Sequence, residues 1–203
     1  MIRLFLSLSI LCLIYASSWS QTTVIYNNDF ENGSNPLTTS FGGGPNQWIR
    51  YSCAGNGASS LTGSNSLYIT PGGVINGCGP GGKEQHAYEN NISGISFALA
   101  ETVIDATCAG NLVANFDYKT EGVALEDYTE LVYSIDNGVS WTPITVLSIS
   151  SNWTATSIPL PALLNFSVFN LGVRFTYNAA TVVGIPPAID NISVTGIDNV
   201  DPV

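Results

Sequence analysis

Basic side chains are scarce in this sequence. Its 203 residues contain five Lys and Arg against fifteen Asp and Glu, which gives a formal net charge of −10 at pH 7. A surface of this charge repels a phosphate backbone, so we expect no nucleic-acid partner. Acidic side chains at this density instead keep an exported protein soluble or collect cations.

Histidine and cysteine are too few for the common catalytic and zinc sites. The one histidine, His86, has no Gly-x-Ser-x-Gly motif to serve, and we interpret it as a surface residue. Beyond the first twenty residues the cysteines are Cys53, Cys78 and Cys108, which lack the spacing of zinc ligands. Their odd number allows at most one internal disulfide. We predict Cys53–Cys78, because the glycine-rich loop around Cys78 would ease the geometry of the bond.

Long apolar runs are absent after the first twenty residues. The segment MIRLFLSLSILCLIYASSWS has Arg3 ahead of an apolar core and ends in small residues before Gln21, which is typical of a secretory signal peptide. The apolar core is short for a membrane anchor, which needs ~20 apolar residues. We therefore predict a signal peptide over residues 1–20 and a secreted protein, extracellular or held at the cell surface.

Removal of the signal peptide leaves four basic residues against fifteen acidic ones, a net charge of −11, and we expect no insertion into a membrane afterwards. The remaining chain is long enough for one well-buried domain. We place this domain at residues 21–198 and interpret residues 199–203 as its exit segment. Whether a longer protein continues into other modules or a sorting domain stays open.

Helical periodicity is nearly absent, whereas alternation of apolar and polar residues is common. In NLVANFDYKT, the apolar side chains of Leu112, Ala114, Phe116 and Tyr118 share one face, and in LGVRFTYN those of Val173, Phe175 and Tyr177 alternate with polar residues in the same way. About ten such short segments, separated by stretches rich in Gly, Pro, Asn and Ser, indicate strands. So many strands in one domain must bury their faces against each other. The sequence therefore predicts an all-β sandwich of two antiparallel sheets.

The segment SIDNGVSW has the spacing Ser-x-Asp-x-Gly-x-x-Trp that recurs in sialidases. Sialidases carry several of these Asp boxes, one per propeller blade, whereas this chain has one. Asp-Asn-Gly between two alternating strands is a strong hairpin signal, because these residues tolerate positive φ. We interpret Ser134, Asp136, Gly138 and Trp141 as a structural turn without catalytic function.

The order of several segments resembles a known family. These segments are NNDFENG, NQWIRYS, GSNSLYIT, ANFDYKTEG, EDYTELVYSIDNGVSW, LGVRFTYN and PPAIDNISVTG. Together they resemble the MAM-like or reelin-like domain of bacterial secreted surface proteins, also called the choice-of-anchor J or cleaved-adhesin type. The resemblance implies a concanavalin-like jelly-roll β-sandwich that serves adhesion or binding.

Glycosidases built on a concanavalin-like sandwich place two carboxylates on one face of a strand. The acidic cluster here consists of Glu126, Asp127 and Glu130, and Asp127 is out of phase with the other two. We interpret the cluster as a solvated loop that enters a strand. The sequence therefore predicts a protein that is not an enzyme.

A metal site is suggested by PPAIDNISVTG, where alternation places Asp190 on the same face as Ile192 and Val194 and therefore toward the interior. A buried carboxylate is costly unless it is compensated. Either loop amides or a metal ion must supply that compensation. The resemblance implies a structural calcium ion near the first and last strands, which would bring Asp29 or Glu31 toward Asp190.

The leading hypothesis is a secreted, non-enzymatic adhesion or recognition module for a glycan or protein ligand on a surface. The alternative is a carbohydrate-binding accessory domain of an exported hydrolase, and a glycosidase comes third. If the ligand is a sugar, exposed aromatic rings should stack on it. The candidates are Trp48, Tyr51, Tyr88 and Trp153, and for each of them packing in the core is the competing interpretation.

Overall fold

The computed structural model describes residues 21–32, 37–41, 44–51, 60–71, 88, 94–121, 126–178 and 186–198. Eleven strands and one short 3-10 turn at Ala162–Leu164 lie in these ranges, and the strands form two antiparallel sheets. The predicted all-β sandwich is therefore confirmed. Within the described ranges, no helix has the length and apolar character that crossing a membrane would require.

The larger sheet has six strands and contains both ends of the described chain. β1 pairs antiparallel with β11, the last strand, which itself lies between β4 and β6. The expected proximity of the first and last strands is thus observed. The strands of this sheet are β1 (Gln21–Asn28), β3 (Asn46–Tyr51), β4 (Ser66–Pro71), β6 (Ala109–Thr120), β9 (Ser150–Pro159) and β11 (Ala188–Asp198).

The smaller sheet has five strands in the order β2-β5-β10-β7-β8. Its shortest strand, β2, is not predicted from the sequence, because four residues are too few to show an alternating pattern. The strands of this sheet are β2 (Thr38–Phe41), β5 (Ser96–Asp105), β7 (Tyr128–Ser134), β8 (Thr142–Val146) and β10 (Val168–Tyr177).

The core lies between the two inner faces. The predicted inner side chains of β6, from Leu112 to Tyr118, belong to it together with Val173, Phe175 and Tyr177 of β10. Each large apolar side chain that is fully buried in this way stabilises the fold by about 1.5–3 kcal/mol. The predicted faces of β6 and β10 are therefore confirmed.

The five-stranded sheet also has an outer face, which is the side that points away from the core. On β7 it carries Tyr128, Glu130, Val132 and Ser134, because these residues alternate with the core residues of the strand. Their partners on β10, which share this face, are Thr176, Arg174, Gly172 and Asn170.

The Asp box forms the turn between β7 and β8, as predicted. The hydroxyl of Ser134 donates a hydrogen bond to Asp136 Oδ1 (2.7 Å) and accepts one from the amide of Gly138 (2.8 Å). The amide of Ser140 donates to Asp136 Oδ1 and its hydroxyl donates to Oδ2. The indole of Trp141 donates to the carbonyl of Gly138 (3.1 Å). These groups satisfy one another, so the turn is a closed hydrogen-bonded unit.

Trp141 also packs beyond the turn, onto the outer face. A Cβ atom added to Gly172 in β10 would lie 3.0 Å from Cζ3 of the indole and 2.9 Å from Cδ1 of Leu99. Glycine at this position therefore leaves the space into which the ring fits.

The contribution of the Asp136 carboxylate to the stability of the fold depends on pH. Hydrogen bonds from the hydroxyl and the amide of Ser140 lower the pKa of Asp136 from its ordinary value of 3.8 to about 2. Because the folded-state pKa lies below the unfolded-state value, the stabilisation is present above the unfolded-state pKa and is lost as the pH falls toward the folded-state pKa. We expect Asp136→Asn to lower Tm at neutral pH, and the difference from wild type to shrink between pH of about 5 and about 2. Thermal unfolding followed by circular dichroism measures this, and a difference that does not change with pH would contradict it.

Gly138 has φ 81°, and an added Cβ would lie 3.3 Å from Glu101 Oε2. A β-branched side chain resists positive φ, so Gly138→Val should destabilise the fold by about 1–3 kcal/mol. Asn adopts positive φ more readily, and Gly138→Asn serves as the matched variant with a smaller loss. Urea unfolding of the two proteins compares them, and equal losses would mean that steric contact, not φ, sets the cost.

Candidate functional site: a cleft beside β7 and β8

A cleft of about 780 Å³ lies where the start of β7, the edge strand β8 and the segment 147–149 meet. This volume is within the range of roughly 300–1,000 Å³ that is usual for ligand sites. Its lining combines two carboxylates, one aromatic ring, several hydroxyls and an aliphatic wall: Asp127, Glu130, Tyr128, Thr120, Thr129, Ser148, Pro143, Val146, Leu147 and Ile149.

Glu130 is buried on the outer face and is held by a cross-strand ion pair. Glu130 lies directly opposite Arg174 of β10, whose Nε and Nη2 atoms both lie 2.7 Å from Oε1. The Glu130 side chain is 3% exposed, against 23% for Arg174. Such a pair offsets part of the cost of burying a charge. None of the described residues donates a hydrogen bond to Oε2 of Glu130, so this oxygen is an available acceptor.

Asp127, at the other side of the cleft, joins three segments of the chain. Its Oδ2 accepts a hydrogen bond from the hydroxyl of Tyr88 (2.9 Å), and its Oδ1 accepts one from the amide of Asn178 (3.1 Å). Burial raises the pKa of Asp127, and these two hydrogen bonds partly offset that effect. Both oxygens therefore have partners within the protein.

The ring of Tyr128 completes the polar end of the cleft. Tyr128 and Glu130 are two residues apart in β7, so both side chains project from the outer face roughly 7 Å apart. Tyr128 is half-buried. A planar ring and a fixed acceptor thus lie side by side.

The expectation of a solvated acidic loop is wrong for two of its three residues. Asp127 and Glu130 are buried, and Glu126 alone is exposed. The physical reason is compensation by Arg174, Tyr88 and the Asn178 amide, which local sequence does not reveal. The sequence contains one signal of this burial: Arg174 alternates with the apolar residues of LGVRFTYN, and a charged side chain on a strand requires a partner of opposite charge.

The predicted sugar-stacking aromatics do not gather in this cleft. Trp48 and Tyr88 are core residues with 2% exposure each, so for them the core interpretation is correct. The indole of Trp48 donates to the carbonyl of Ala98 (3.1 Å), and Tyr88 packs edge-on against Phe175. Rings buried in this way cannot stack on a sugar.

The two other aromatic candidates lie on the six-stranded sheet. Trp153 is half-buried beside the small cluster of Ile49, Tyr68 and Ala188. The ammonium of Lys119 lies 5.4 Å from the centroid of the Trp153 ring. Tyr51 ends β3, and its side chain lies outside the described residues, as do Cys53, Cys78, His86 and the segments 1–20 and 199–203. The predicted Cys53–Cys78 disulfide and signal peptide stay predictions.

Asp190 is buried, but it does not share a face with Ile192 and Val194. A bulge at Asn191, which has φ 51°, shifts the register of β11, so Asp190 lies opposite Asp117 on the outer side of the six-stranded sheet. There Asp190 accepts hydrogen bonds from the amides of Leu61 and Thr62 as well as that of Asn191. The predicted orientation is wrong, because strict alternation does not continue through a bulge.

Glu31 holds the other end of the same loop. Its Oε1 accepts hydrogen bonds from the amides of Ser64 (2.9 Å) and Asn65 (2.8 Å), and these bonds lower the pKa of Glu31. Asp29 caps its own turn by accepting from the amide of Glu31 (3.1 Å). The structure thus brings Glu31 and Asp190 to loop 60–65, while the described residues contain no cluster of three or more acidic, His or Cys side chains arranged to hold a metal ion.

Calcium binding by Asp29, Glu31 and Asp190 stays a prediction with a direct measurement. A ligand bound only by the folded state stabilises it by mass action, so we expect Tm to be higher in millimolar calcium than in chelator. The control is Glu31→Gln, which should lose most of that rise. If the wild-type protein has the same Tm in calcium and in chelator, the prediction fails, and the hydrogen bonds from the loop amides alone compensate these carboxylates.

Solved structures share this architecture, whereas no protein-family model and no curated protein matches the sequence. A carbohydrate-binding module from the β-sandwich superfamily, described for promiscuous specificity, aligns with a TM-score of 0.50 at 12% identity, over 82% of this chain and 60% of that one. The chain shares its two-sheet β-sandwich fold with this module. The narrower MAM-like resemblance stays a prediction.

Two further structures align at lower scores. A family 11 carbohydrate-binding module from Clostridium thermocellum, in complex with a β-1,3-1,4-mixed-linked tetrasaccharide, has a TM-score of 0.47 and 16% identity, over 85% of this chain and 94% of that one. The CBM22-1 xylan-binding domain from Paenibacillus barcinonensis Xyn10C has a TM-score of 0.49 and 8% identity, over 90% and 99%.

Proposed function

We propose that this protein is a secreted, non-catalytic module that binds a glycan in the cleft beside β7 and β8. The observation that carries the proposal is that Glu130 and the ring of Tyr128 line the same cleft as neighbours on one strand face. Among the described residues, Oε2 of Glu130 has no donor and can accept a hydrogen bond. Aromatic rings stack on the apolar faces of sugars, while carboxylates accept hydrogen bonds from sugar hydroxyls.

The rigidity of the acceptor supports the same proposal. Arg174 fixes Glu130 through two contacts to Oε1, so a ligand would meet Oε2 already oriented and little side-chain freedom would be lost on binding. The fold shared with a carbohydrate-binding module of the β-sandwich superfamily is consistent with this function. The proposal narrows the recognition module expected from the sequence to one with a glycan ligand.

The arrangement of the two carboxylates favours binding over hydrolysis. A glycosidase needs two carboxyl groups that face the scissile bond. Here both oxygens of Asp127 accept hydrogen bonds from Tyr88 and Asn178, and Glu130 is paired with Arg174. Glu130 also points to the outer face, whereas Asp127 is out of phase with it.

A glycan array followed by calorimetry tests the proposal. We expect wild-type protein to bind at least one class of oligosaccharide, and Tyr128→Ala to bind it about two- to tenfold more weakly, because a lost stacking contact is worth about 0.5–1.5 kcal/mol. Tyr26→Ala is the matched control, since Tyr26 is also a half-buried tyrosine but lies on β1 of the other sheet. Absence of binding to any glycan, or equal losses in the two variants, would contradict the proposal.

A further inference from the structure

We infer that Glu130 makes the cleft selective for neutral glycans over glycans that carry carboxylate groups. The inference rests on the proposed glycan binding and names the class of ligand that the site accepts. Its basis is the set of charged groups around the cleft.

The cleft itself contains negative charge only. Its ten lining residues, all in the described part of the chain, include Asp127 and Glu130 and no Lys, Arg or His. Arg174 is the basic side chain in contact with Glu130, and it is already bound to Oε1. A ligand carboxylate would therefore be buried beside like charges without a cation of its own, which is unfavourable.

The free oxygen of Glu130 sets the chemistry of recognition. A carboxylate is an acceptor without a donor, so Oε2 can be satisfied by a sugar hydroxyl but not by an ionised carboxylate. Because Glu130 is 3% exposed, bulk ions screen this contact less than they screen charges on the surface. The selectivity should therefore persist at high salt, where repulsion by the net charge of the whole chain is largely removed.

Arg174 gives the inference a second consequence. With Glu130 in place, both Nε and Nη2 of Arg174 are committed to Oε1. Replacing Glu130 by Gln removes the negative charge and leaves the guanidinium without its counter-ion. The uncompensated guanidinium behind position 130 would then attract a ligand carboxylate in the cleft instead of being neutralised by Glu130, so the preference should move toward acidic sugars.

Binding of matched neutral and acidic oligosaccharides tests this. The probes are cellotetraose, galactotriose and mannotriose, each used unmodified and after oxidation of its primary hydroxyls to carboxylates, with calorimetry at about 0.1 M and about 0.5 M salt. For wild-type protein we expect at least about tenfold tighter binding of the neutral form at both salt concentrations. Glu130→Gln should reduce that ratio several-fold, whereas Glu126→Gln, which removes an exposed acid just outside the cleft, should leave it unchanged.

The outcomes separate the two claims. If wild-type protein binds none of the array glycans, the proposed function fails. If it binds neutral and oxidised forms equally, or if its selectivity disappears at high salt, the inference is overturned while glycan binding stands. If Glu130→Gln folds with a normal circular dichroism spectrum and keeps the wild-type ratio, Glu130 is not the determinant. The wild-type comparison decides the selectivity even if that variant does not fold.

Discussion

Each strand of the sandwich can bury only one of its faces in the core, and this constraint determines the candidate site. Because Val173 and Phe175 of β10 must point inward, Arg174 between them must point outward. The antiparallel register then places Glu130 directly opposite it. The ion pair that orients the free oxygen of Glu130 is thus a consequence of how the two sheets pack, and any shift of one residue in this register would remove it.

Burial of carboxylates recurs in this fold, and each case is compensated in a different way. Glu130 is paired with a guanidinium, Asp127 accepts from a phenol and one amide, and Asp190 accepts from three amides. An unpaired buried carboxylate would be costly. These three solutions leave different groups available: Asp127 and Asp190 have both oxygens engaged, whereas Oε2 of Glu130 has no donor among the described residues.

The Asp box has a structural function that extends to the outer face. Its hydrogen bonds close the β7–β8 turn, and its indole fits over Gly172 of the neighbouring strand. The turn therefore holds the edge strand β8 against β7. Because β8 supplies Pro143 and Val146 to the wall of the cleft, the turn also helps to shape that cleft.

Local pattern was sufficient for most of the fold. Alternation identified the inner faces of β6 and β10, and Asp-Asn-Gly identified the turn, because side-chain period and positive φ are properties of a few consecutive residues. Tertiary structure alone decided the rest. Arg174 lies 44 residues from Glu130 along the chain, and Asp127 lies 51 residues from Asn178 and 39 from Tyr88. The bulge at Asn191 places Asp190 on the other side of its sheet. The burial of Trp48 and Tyr88 in the core was also decided by tertiary structure. Whether an aromatic ring is buried depends on which strands face each other across the sandwich, and the neighbouring residues in the sequence do not specify that arrangement.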